Sequence, residues 1–168
     1  NFTIKERKKN LKILKYIAKE SKKRGLEFQI AIWTQRYDFD DVPYANFQVL
    51  NYPKGLNYAR YCRDSLSLIL KECPEITGIT LRVHVECGIP EKSYYFWKIY
   101  FQAIKECGRS INLDLHAKGI DERLIKIALH NTKKLSISPK YISEHMGLPY
   151  HQASIRKQEF PPREKVSN

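Results

Sequence analysis

Residues 78–86 read Gly78-Ile79-Thr80-Leu81-Arg82-Val83-His84-Val85-Glu86. Leu81, Val83 and Val85 alternate with Thr80, Arg82, His84 and Glu86. A period of two puts the aliphatic side chains on one face of a strand and the ionisable ones on the other. The pattern recurs in both directions along the chain. Upstream, Phe28, Ile30 and Ile32 alternate with Gln29, Ala31, Trp33 and Gln35. Downstream, Ile111, Leu113 and Leu115 alternate with Asn112, Asp114, His116 and Lys118, and Leu135 and Ile137 with Ser136, Ser138 and Lys140.

Helical periodicity fills the intervals. A helix is expected over 4–23, where Leu11, Leu14, Ile17 and Ala18 form a stripe and Gly25 stands at the stop. Further helices are expected over about 57–73, 91–107 and 121–131, the last capped by Asp121. Strands are expected over about 27–34, 78–86, 110–116 and 134–138. Strands alternating with helices imply βα units and a parallel sheet.

Parallel sheets buried on both faces read as near-continuous apolar runs. Here one face is rich in Arg, His, Glu and Asp. A sheet sheathed by helices outside and closed around a polar interior reconciles the two, so the fold class expected is α/β, a parallel (β/α) barrel. Only four βα units are legible in the 168 residues, and a complete barrel takes about 250 residues. A half or fragment of a TIM barrel is therefore expected over 1–158, with an irregular tail over 159–168. The remaining units are expected from a longer chain or a second copy.

The formal charge is +12, from 30 Lys and Arg against 18 Asp and Glu. Much of the excess crowds the first helix, between Lys5 and Arg24, and reads as a solvated outer surface. No zinc-finger spacing, P-loop or RNP-like strand is present, so a nucleic-acid partner is not expected. The four cysteines (62, 73, 87 and 107) form no C-x-x-C pair, which leaves zinc ribbons and dithiol redox chemistry without support. No apolar run spans a bilayer. The segment between Gln35 and Gly55, with Tyr37, Phe39, Tyr44, Phe47 and Tyr52, reads as a long functional loop.

In such a fold the chemistry belongs at the carboxyl ends of the strands. His84 and Glu86 on the second strand, with Asp114 and His116 on the third, converge there. Trp33 and Gln35 join from the first strand, Lys118 from beyond the third, and Lys140, Glu144, His145 and His151 from beyond the fourth. Glycoside hydrolysis needs two carboxyl groups across a sugar bond, one protonated and one ionised. Glu86 is the first candidate, with Asp114 and Glu144 as candidate partners. Trp33 suits a sugar platform, and Arg82, Lys118 and Lys140 suit a uronate or sulfate group. The weaker alternatives are two. One is a metal-dependent barrel hydrolase or isomerase using His84, Glu86, Asp114 and His116. The other is a non-catalytic basic module for polyanions or nucleic acid. The bland reading makes Arg82, Glu86 and Asp114 internal salt-bridge partners.

The run Ile137-Ser138-Pro139-Lys140-Tyr141-Ile142-Ser143-Glu144-His145-Met146-Gly147-Leu148-Pro149-Tyr150-His151-Gln152-Ala153, with the strand exits Ile32-Trp33-Thr34-Gln35, Val83-His84-Val85-Glu86 and Leu113-Asp114-Leu115-His116, resembles the barrel of large secreted bacterial glycoside hydrolases of the α-glucuronidase-like kind. The resemblance covers residues 4–158. It implies an eight-unit catalytic barrel, a secreted or periplasmic location, no obligatory cofactor, and a plant or algal polysaccharide as substrate. Of that family's catalytic positions, only Glu86 at a strand end is carried over.

Overall fold

The structure, a computed structural model, describes residues 3–35 and 53–139. It begins with α1 (Ile4–Lys23), β1 (Phe28–Ile32), α2 (Leu56–Glu72) and β2 (Ile76–Leu81). A 3₁₀ turn (Val85–Cys87), α3 (Tyr94–Tyr100) and α4 (Gln102–Glu106) follow, then β3 (Asn112–His116), α5 (Glu122–Asn131) and β4 (Lys134–Ser138). The four strands form one parallel sheet in the order β1-β2-β3-β4. The α/β class with sequential βα units is thus the observed architecture.

The cross-strand register sorts the side chains into two faces. Ile30, Ile79, Leu113 and Leu135 stand in one row, and Ile32, Leu81, Leu115 and Ile137 in the next. The opposite face carries Gln29, Gly78, Asn112 and Lys134, then Ala31, Thr80, Asp114 and Ser136, then His116 beside Ser138. The alternation in sequence is therefore a real partition of the sheet, and Asp114 and His116 share the polar side.

The helices cover the aliphatic side. Ala59, Cys62, Leu66 and Leu70 recur on one stripe of α2 and are buried in the cluster that holds Ile79, Leu81, Leu113 and Leu115. Phe96, Trp97, Tyr100 and Phe101 form the aromatic part of the same core, with ring centroids 5.0–6.1 Å apart. Removing one such buried leucine side chain costs about 2–5 kcal/mol. Leu11 and Leu14 anchor α1 to this core, and Ala18 is wholly buried.

Local chemistry sets the ends. Thr3 and Glu6 form a reciprocal capping box at the start of α1, which ends before Gly25 at φ +73°. Asp121 caps α5, its carboxylate accepting the Leu124 amide at 2.8 Å. Arg109 pins the far end of the sheet: its guanidinium donates to the carbonyls of Ile76, Leu70 (3.1 Å) and Cys73 (3.2 Å). It thereby supplies partners for the orphan carbonyls at the end of α2.

Two expected elements are redrawn. The second strand stops at Leu81 instead of running to Glu86, because the chain turns into the 3₁₀ segment and leaves through Gly88 at φ +81°. The third helix starts at Tyr94 instead of Glu91, after a turn that puts Lys92 at φ +61°, and divides at Phe101 into α3 and α4.

Candidate functional site

The carboxyl edge of β1–β3 gathers most of the described candidates. The Arg82 guanidinium lies 4.8 Å above the Trp33 ring, a cation–π stack. The same indole meets His116 edge-on at 5.9 Å, and His116 faces His84 at 6.2 Å. Trp33 remains 44 % exposed, whereas His84 and His116 are buried. Aromatic surface thus faces outward, with imidazoles packed beneath it.

Glu86 is the ionic centre of this edge. Its carboxylate pairs with Arg82 at 2.8 Å and Lys118 at 2.9 Å, and stands 3.4 Å from His84 Nε2. The hydrogen bond from Lys118 holds its carboxyl below the ordinary range, helped by the charges of His84, Lys118 and Arg82. Glu86 is accordingly a carboxylate at neutral pH, which removes it as the protonated acid and leaves nucleophile or base. It sits on the 3₁₀ turn with its side chain 48 % exposed, not on a strand pointing into a hollow. The Arg82–Glu86 contact pairs two of the residues named in the bland reading, but on a half-exposed carboxylate rather than in the interior.

His84 is held from several sides. Its Nδ1 accepts the Glu86 amide at 3.3 Å, so in the neutral ring Nε2 carries the proton and faces the Glu86 carboxylate. Burial pushes its pKa below 6.5, against the opposing pull of Glu86. Gly119, at φ +79°, abuts it so closely that an added Cβ would stand 2.6 Å from the His84 Cβ. Nothing in the sequence spacing signals this glycine contact.

Asp114 lies one row down on the same face. It is buried, and its Oδ1 accepts the hydroxyls of Ser138 at 2.8 Å and Ser136 at 3.0 Å. These two serines were also missed as site residues. The signal was present, since they alternate on the following strand, where Ser136 registers directly beside Asp114 and Ser138 beside His116.

Gln35 does not offer its amide to this edge. Its side chain turns back to the Ile32 carbonyl at 3.4 Å, its backbone N–H donates to Cys87 O at 2.8 Å, and its carbonyl accepts the Tyr58 hydroxyl. Gln35 fastens the β1 exit to the turn after β2. Cys87 is buried, and burial raises its thiol to about 11, so it is no thiolate nucleophile. Lys140, Glu144, His145 and His151 lie outside the described residues, as does the aromatic loop over 36–52.

Among the described residues, no group of three or more His, Cys, Asp or Glu side chains is arranged to hold a metal ion, and no helix is long and apolar enough to cross a membrane. Comparison with protein-family models, with curated proteins and with solved structures finds no match to this chain.

Proposed function

We propose that this chain is a carbohydrate-active enzyme domain that hydrolyses a glycosidic bond in an acidic polysaccharide at the carboxyl edge of its sheet. On this reading the four strands are part of a (β/α) barrel whose interior is the polar face. A longer chain or a second copy supplies the remaining units.

One observation carries the reading. A half-exposed indole, two cations, two buried imidazoles and an ionised carboxylate meet at one sheet edge: Trp33, Arg82, Lys118, His84, His116 and Glu86. Each suits a stated task. The Trp33 ring is a platform for a sugar face. Arg82 and Lys118 are partners for a uronate carboxylate or sulfate ester. Glu86, ionised, acts as nucleophile or base, and Asp114 or Glu144 supplies the acid. His84 and His116 hold these groups in place.

The test is release of reducing ends from uronate-bearing oligosaccharides. Glu86→Gln and Asp114→Asn each lower turnover about 100-fold or more if both carboxyl groups act in the chemistry. Turnover equal to that of the unaltered protein in both variants overturns the assignment.

A further inference from the structure

On the helical side of the sheet, α1 carries a second feature. Lys8, Lys12, Lys15 and Lys19 line one shallow depression of about 430 Å³ together with Leu11, Tyr16 and Glu72. Their spacing of four, three and four residues sets them along one helix face, and eleven residues of helix span about 16 Å. Tyr16 stands 66 % exposed among them.

The local carboxylates neutralise only one member of this row. The two acids of α1 are engaged elsewhere: Glu6 closes the capping box, and Glu20 pairs with Lys23 and Arg24. Glu72 pairs with Lys15 at 2.7 Å. Among the described residues, no carboxylate pairs with Lys8, Lys12 or Lys19. Like charges three and four residues apart on a helix repel, so the row works against the helix that carries it. An anionic occupant removes that repulsion.

The geometry points to a binding ridge for a linear polyanionic glycan along α1, separate from the carboxyl edge. The ridge offers ammonium point charges at near-regular intervals, with the edge of one phenol. Single-stranded nucleic acids are held by series of aromatic rings on which bases stack, and the ridge has a single ring. A polymer bearing a carboxylate or sulfate on each residue needs only the charges. The ridge and the sheet edge share no residue, so each is tested by its own variants.

Fluorescence anisotropy on the whole chain tests this. The probes are labelled sulfated and polyuronate oligosaccharides and single-stranded DNA of matched charge, each titrated over a salt series. Lys8→Gln/Lys12→Gln/Lys19→Gln keeps good helix formers on α1. Lys98→Gln/Arg123→Gln/Lys126→Gln on α3 and α5 removes the same charge elsewhere. The expected result is glycan binding tighter than DNA binding and roughly tenfold or more weaker in the α1 variant. The α3/α5 variant retains its affinity, and Lys12→Gln alone lowers the salt slope. Equal losses in the two triple variants, tighter DNA binding, or no glycan binding at low salt overturns the ridge.

Discussion

The His84 imidazole grips Glu86 twice: Nδ1 accepts the Glu86 backbone N–H at 3.3 Å, and Nε2 stands 3.4 Å from the Glu86 carboxylate. One ring therefore fixes both the turn that carries the carboxylate and the direction in which it points. Because the ring is 1 % exposed, its protonation state is tied to folding.

The pH dependence follows with a definite sign. Burial depresses the folded pKa of His84 below 6.5, so the unfolded chain takes up its proton first. The stability from neutral His84 is present above 6.5 and lost as pH falls toward the folded value. Glu86, also depressed, adds stability above 4.5 that is lost at lower pH. Melting temperatures of the unaltered protein should fall as the pH drops below about 6.5, and His84→Gln should flatten that slope. Parallel curves for the two proteins would remove His84 from the linkage.

Two glycines touch the polar face and its loops, and they should respond differently to alanine. At Gly119 an added Cβ meets the His84 Cβ at 2.6 Å and its Cα at 3.1 Å, on a backbone with φ +79°. Gly119→Ala should cost about 1–3 kcal/mol and displace the His84 ring. At Gly78 the nearest atoms, at 2.7–3.0 Å, belong to the flexible Gln29 side chain, which can move aside. Urea midpoints for the two variants, with turnover alongside, check the ranking. A Gly78→Ala loss as large as that of Gly119→Ala would contradict it.

Arg109 ties the close of α2 to the start of β2 through three carbonyls. A lysine ammonium has no planar fork with which to span them. Arg109→Lys should lower unfolding free energy by about 2 kcal/mol without altering the carboxyl edge. Denaturant unfolding and turnover, measured together, separate these effects.

The fold was legible where period and punctuation agree. For α1 the apolar stripe and the Gly25 stop coincide, and the observed helix spans Ile4–Lys23 as expected. For β4, Lys134–Ser138 is recovered without change. The error at β2 has a physical cause. Arg82, His84 and Glu86 keep a period of two beyond the strand, but they follow a turn in which His84 accepts a backbone amide, and only Gly88 signalled it. The face shared by Asp114 and His116 was readable from alternation alone. The Gly119–His84 contact was not, because it joins loops 35 residues apart in sequence (84 and 119) that only the folded sheet brings together. Nor did residue type alone reveal that Gln35 turns inward, because Cys87, Ile32 and Tyr58 take its polar groups.

The central claim is that an acidic sugar binds at the carboxyl edge, against Trp33 and Arg82. The chain has two tryptophans, and Trp97 lies buried in the core, so Trp33 fluorescence reports directly on that edge. Titration with uronate-bearing oligosaccharides should give a saturable change that disappears in Trp33→Phe and weakens in Arg82→Ala. An Arg82→Ala titration identical to that of the unaltered protein, or no saturable change with any uronate or sulfated oligosaccharide, would contradict the account.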